Sequence, residues 1–189
     1  MIAEDKEELL KLARDSISTY FKKENPAGNE TKFAKKQGVF VTLKKSGELR
    51  GCIGFTEPFF TLYDSIVQAA RSAAFEDPRF DALTENELDT IEIEISVLTV
   101  PELIEVKNFS EYLDFIEIGK HGLIIRAASG QSGLLLPQVP VEWKWDVKEF
   151  LEHTCTKANL SKDAWTNINN KIYSFECEVF SENESSNSI

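Results

Sequence analysis

Three cysteines and two histidines are scattered over 189 residues, with no Cys-x-x-Cys pair among them. That scarcity leaves little from which to build a metal centre. Cys52, His121, His153 and Cys155 would be an acceptable zinc set by type. His153 and Cys155, however, stand two apart in a stretch of helical periodicity and face different directions. No metal or other cofactor is expected. Positive charge is also in deficit: 21 Lys and Arg against 32 Asp and Glu leave a net charge of −11, which repels phosphate backbones and makes a nucleic-acid partner a poor fit. Lys22-Lys23, Lys35-Lys36 and Lys44-Lys45 are too short to reverse that and read as solvated loops or strand edges. No apolar run approaches membrane-spanning length. The start, Met1-Ile2-Ala3-Glu4-Asp5-Lys6-Glu7-Glu8, has no positive region followed by an apolar one, so a cytoplasmic location is expected, with reduced cysteines. A phosphate-binding Gly-rich loop, a Gly-x-Ser-x-Gly elbow, a paired-histidine metal motif and internal repeats are all missing.

What is present suits a globular chain: 42% hydrophobic and 28% charged residues allow an ordinary buried core. Leu9, Leu10, Ala13, Ile17, Tyr20 and Phe21 recur at helical spacing, which predicts an amphipathic helix over residues 6–21 stopped at Asn25-Pro26. Two β-prone runs, residues 38–43 and 49–55, flank Ser46-Gly47-Glu48 as a hairpin. Thr56-Glu57-Pro58 predicts the start of a helix carrying Leu62, Ile66, Ala69, Ala70 and Ala73. Beyond the Asp77-Pro78-Arg79-Phe80 loop, Thr84 and Glu87 have capping-box spacing. Ile91, Ile93, Ile95 and Val97 then alternate with polar residues as a strand with one wet face. A short helix from Ser110, a hairpin over residues 122–136, a helix from Asp146 and a strand whose one face is Tyr173, Phe175, Cys177 and Val179 complete the pass. Helices and antiparallel hairpins without a βαβ rhythm predict an α+β fold. Residues 1–180 read as one domain and residues 181–189 as a disordered polar tail.

Chemistry concentrates in Leu49-Arg50-Gly51-Cys52-Ile53-Gly54. Alternation puts Arg50, Cys52 and Gly54 on the face opposite Leu49, Gly51, Ile53 and Phe55. The glycines allow a close approach by a ligand or another backbone, and Arg50 is placed to stabilise a Cys52 thiolate. The same pattern suits a Cys52 that merely packs as a small hydrophobe at a layer junction. Cys155 and Cys177 lie on apolar faces, although Cys155, between two threonines, can reach a cleft. His121 stands where a loop enters a strand, and an imidazole there can accept the proton of a thiol; His153 falls on the polar side of its helix. Pro137 to Glu142 reads as an irregular, proline-flanked loop that presents Gln138 and Glu142 to a polar substrate or uses them as local caps. Trp143 and Trp145 read as core or interface anchors.

These segments, together with Ala74-Phe75-Glu76-Asp77-Pro78-Arg79-Phe80, Gly119-Lys120-His121-Gly122, Leu135 to Glu142 and Thr154-Cys155, resemble the AMMECR domain family from the first helix to the last strand. The Thr-Cys-x-Lys-Ala segment fits its archaeal and bacterial branch, of the AmmeMemoRadiSam system type. The resemblance implies a larger and a smaller lobe in one α+β domain, with the Cys52 strand at their junction. It carries over Arg50, Cys52, His121, Gln138, Glu142 and Cys155, and it implies association with Memo-like and radical S-adenosylmethionine proteins. Asn159 departs from the pattern, where a glycine is common. Two functions follow as expectations. The first is an enzyme or enzyme-system component with Cys52 as thiol centre, His121 as its base, and Arg50, Gln138, Glu142 and Cys155 binding substrate. The other is a non-catalytic adaptor whose groove recognises a partner protein.

Overall fold

A computed structural model describes residues 1–185. Its elements are α1 (Ala3–Lys22), β1 (Val39–Lys45), β2 (Glu48–Phe55), α2 (Leu62–Phe75), β3 (Ile91–Leu98), β4 (Glu102–Leu103), α3 (Glu111–Phe115), β5 (Gly122–Arg126), β6 (Ser132–Leu135), α4 (Gln138–Trp143), α5 (Val147–Lys157), β7 (Lys171–Phe175), β8 (Cys177–Ser181) and α6 (Glu182–Ser185). The fold is α+β, with two four-stranded sheets of order β2-β1-β3-β8 and β4-β7-β5-β6. No helix among the described residues is long and apolar enough to cross a membrane. The chain divides into two compact units, Met1–Leu98 with the segment from Glu178, and Thr99–Cys177.

In the first unit Ser46 and Gly47, with φ of 53° and 83°, turn β1 into β2; two consecutive left-handed residues match the twist of a hairpin. β3 pairs antiparallel with the other side of β1, so β2 is left at the sheet edge. Val39, Val41 and Leu43 of β1 and Ile91, Ile93, Ile95 and Val97 of β3 are buried together with Leu9, Ala13 and Ile17 of α1 and Ile66, Ala69, Ala70 and Ala73 of α2. Small residues along α2 let its backbone come close to the sheet. A Cβ on Gly51 would lie 2.1 Å from the Ala73 carbonyl oxygen, so β2 meets α2 there without a side chain between them. α2 begins at Leu62 rather than beside Pro58, because Thr61 Oγ1 accepts the Asp64 N–H and fixes the first turn. Thr84 and Glu87 form the expected capping box, on a 3-10 turn.

In the second unit Phe150, Leu151 and Cys155 of α5 are buried with Leu123 and Ile125 of β5 and Ile172 of β7. Asp146 and Glu149 cap α5 reciprocally. Asn159, just past this helix, has φ 57°, the left-handed conformation that explains why glycine suits the position. Three expectations are corrected. Residues 138–143 are helical rather than irregular, since Pro140 falls in the first turn, where its missing N–H costs nothing. The last strand is two strands broken at Glu176, serving different sheets, so Ile172, Ser174, Phe175 and Phe180 are buried instead of Val179. Cys177 is half-buried. The polar segment from Ser181 is structured at its start: Glu182 receives Arg14 Nε and Nη2 and the Ile93 N–H, ties strong enough to order a short helix. The rest of that expected tail, residues 186–189, lies outside the described residues.

Gly51→Ala forces its methyl into the Ala73 carbonyl and is expected to destabilise the fold by about 3 kcal/mol, read as a lower urea midpoint with an unchanged slope. An equally stable Gly51→Ala protein would refute the close approach of α2.

Candidate functional site

Cys52 stands opposite Thr42 in the β1–β2 ladder. The Thr42 hydroxyl donates to Cys52 Sγ at 3.3 Å. The Cys52 main chain turns outward, away from β1, and meets the segment that follows α2. Its N–H donates to Asp77 Oδ2 at 2.8 Å, and its carbonyl accepts Arg79 Nη2 at 3.2 Å. Asp77 and Arg79 thus supply one donor and one acceptor where a neighbouring strand would, which closes this point of the exposed edge. Asp77 also accepts the Arg79 N–H and Nε on Oδ1, at 3.1 and 2.9 Å, and Arg79 Nη2 on Oδ2 at 2.7 Å. Its side chain is 2% exposed against 53% for Arg79. The Arg79 guanidinium is the main reason the Asp77 carboxyl is held well below the usual carboxylate range; the Cys52 and Arg79 N–H groups add to this, against burial. In turn Asp77 raises Arg79, with the Cys52 thiol contributing in the same sense.

Sequence spacing placed Arg50 beside the Cys52 thiol; in the structure Arg79 is the arginine that bonds Cys52, at its carbonyl, and Arg50 pairs with Glu87. Arg50 Nε and Nη2 both donate to Glu87, at 3.2 Å each. Glu87 accepts Lys45 Nζ at 2.9 Å as well, and Arg50, the Thr84 N–H and Lys45 hold its carboxyl far below the usual range. Arg50 Nη1 is buried without a hydrogen-bond partner. Arg50, Arg79, Phe80 and Thr84 line an open groove of about 650 Å³. The glycines beside Cys52 are explained by close approaches of protein: the Ala73 carbonyl at Gly51, and the Val39 carbonyl and the Phe40 ring at Gly54.

The remaining candidates belong to the second unit. His121 is 8% exposed and locked into its own loop, its N–H donating to the Glu117 carbonyl at 3.0 Å and its Nδ1 accepting the Glu117 N–H at 3.1 Å. In the neutral ring that bond places the proton on Nε2, so neither nitrogen has a free lone pair for a thiol's proton. This corrects the general-base role. Gln138 is half-buried and Glu142 exposed on α4. Cys155 is completely buried, and burial pushes its thiol up to about 11, so it presents nothing to a substrate. His153 is stacked face to face on Trp145 at 3.8 Å, not simply solvated. No group of three or more His, Cys, Asp or Glu among the described residues is arranged to hold a metal. Asp77, Arg79 and Thr42 were missed as site residues; the sequence signal for the first two is an Asp-Pro-Arg directly after a helix that packs on the Cys52 strand.

The AMMECR1 family profile matches residues 10–180. A protein of Methanopyrus kandleri is 50% identical over 187 residues, covering 96% of this chain and 90% of its own length. One from Methanothermobacter thermautotrophicus is 43% identical over 178 residues, covering 92% of each. The crystal structure of an uncharacterized protein from Pyrococcus horikoshii superposes with a TM-score of 0.83 at 43% identity, covering 92% of this chain and 89% of that one.

Asp77→Asn removes the buried charge that holds Arg79 and is expected to lower stability at neutral pH by about 2 kcal/mol. The folded-state pKa of Asp77 is depressed, so its stabilisation is complete above the unfolded-state value of about 3.9 and is lost as pH falls toward the folded value. Melting temperatures of the two proteins should therefore converge in acid; a constant gap across pH would contradict the charge argument.

Proposed function

The chain belongs to the AMMECR1 family, and we propose that it is an enzyme, or one component of an enzyme system, whose reactive group is the Cys52 thiol. One observation carries this reading: the main chain of half-buried Cys52 is held from outside by Asp77 and Arg79, while its sulfur meets a hydroxyl that donates to it. A thiol so positioned can serve as the nucleophile toward electrophilic carbon. Arg79 Nη1 has no hydrogen-bond partner among the described residues and offers a site for an anionic group of the substrate. Arg50 acts from the same groove. Memo-like and radical S-adenosylmethionine proteins are the partners of this reading, on the strength of the family resemblance.

A non-catalytic adaptor is the second reading. It is favoured by the glycines, because Gly51 and Gly54 are accounted for by α2 and Phe40 without any ligand.

Alkylation of the native protein with iodoacetamide, followed at each cysteine by mass spectrometry, separates the two. Cys52 should react at least about tenfold faster than buried Cys155 and faster than Cys177, and Arg79→Gln should slow Cys52 severalfold. Labelling of Cys52 only after unfolding would remove the thiol centre and leave the adaptor.

A further inference from the structure

The second unit contains a pocket that the Cys52 reading does not use. Its volume is about 340 Å³, with His121, Ser174 and Phe175 forming the buried floor and Glu102, Phe115 and Glu176 the exposed walls. The His121 ring stacks on Phe115, centroids 5.4 Å apart and planes 16° from parallel. Its Nδ1 is taken by the Glu117 N–H, while Nε2 has no hydrogen-bond partner among the described residues. His121, a residue 8% exposed, therefore keeps one ring N–H free of protein partners at the pocket it lines. A ligand acceptor can take that N–H in place of solvent.

The walls restrict what that ligand is. Glu102 and Glu176 disfavour a carboxylate or phosphate, so the acceptor is a neutral carbonyl. The same carboxylates, and the half-exposed face of Phe115, favour a cationic nitrogen beside it. Lys120 lies 4.0 Å from Glu176 and 3.3 Å from Glu117. These are exposed pairs worth about 0–1 kcal/mol, so a ligand ammonium displaces Lys120 from Glu176 at little cost. We propose that this pocket binds a small α-amino carbonyl compound, an amino-acid amide in its simplest form, with its carbonyl on His121 Nε2–H and its ammonium between Glu102 and Glu176. His121 is then a ligand-binding donor.

The chain has two histidines, so imidazole nitrogen–proton NMR spectra of the whole protein resolve them directly. His121 should show a protonated Nε2 and a bare Nδ1. Glycinamide should shift its Nε2 signal saturably while His153 stays unmoved, and acetate at the same concentration should leave both unmoved. Glu102→Gln combined with Glu176→Gln should weaken glycinamide about tenfold, equal to 1.4 kcal/mol. No saturable shift to about 100 mM glycinamide, an equal response to acetate, or a proton resident on Nδ1 would each overturn the proposal and leave His121 a loop-locking residue. The alkylation experiment reads the first unit, so either reading can fail without the other.

Discussion

The contact between the Ala73 carbonyl and Gly51 governs the site. A helix that packs on a sheet through ordinary side chains is held well off the strands; here the backbone of α2 meets β2 with no Cβ between them. α2 ends three residues later with Glu76 as its C-cap. The chain leaves it low over the sheet edge, and Asp77 arrives within 2.8 Å of the Cys52 N–H. The loop is closed on its far side by the Leu83 N–H donating to the Ala74 carbonyl at 2.8 Å. Glycine at position 51 is thus a packing residue whose consequence is chemical: it sets which groups meet the neighbouring cysteine.

Burial then dictates the charges. A carboxylate as enclosed as Asp77 must be matched by hydrogen bonds or lose its charge, and it receives four, from Cys52 and Arg79. Arg79 is half-exposed, so solvent screens part of their direct attraction, and the stability comes from the set of hydrogen bonds to the buried carboxylate; the pair also holds one guanidinium in a fixed direction. Glu87 does the same for Arg50 and Lys45. Two arginines with carboxylates behind them form a rigid lining, in contrast with long cations free to follow any anion. Such rigidity lowers the entropic cost of holding a substrate.

Features written within a few residues could be read from the sequence. The Ser46-Gly47 turn, the β3 alternation, the Thr84 capping box and the helix from Asp146 each depend on a local pattern, and each appears in place. The errors arise where a distant partner decides. Pro58 gave a plausible helix start, yet Thr61 caps α2. Prolines at 137 and 140 suggested a loop although both are compatible with a helix's first turn. The strand broken at Glu176 reads as one apolar run, because transfer between sheets leaves no mark on its periodicity. Asp77 and Arg79 are 25 and 27 residues from the Cys52 they grip, so only the tertiary approach of α2 makes them partners. Family resemblance quoted their segment intact but assigned them no role.

The histidine shows how spacing and geometry can imply opposite chemistry. Residue type alone makes His121 a base for a thiol, and a cysteine so served is activated by proton transfer at the moment of reaction. With Nδ1 engaged by the Glu117 N–H, that service is unavailable without breaking the bond that orders the loop. The groups that do meet Cys52 are the Thr42 hydroxyl at its sulfur and the Arg79 guanidinium at its carbonyl. The direction of that guanidinium follows the charge state of Asp77, because the carboxylate orients it. The surroundings of Cys52 are therefore set by the α2–β2 contact, and the groups that form them lie within the first unit.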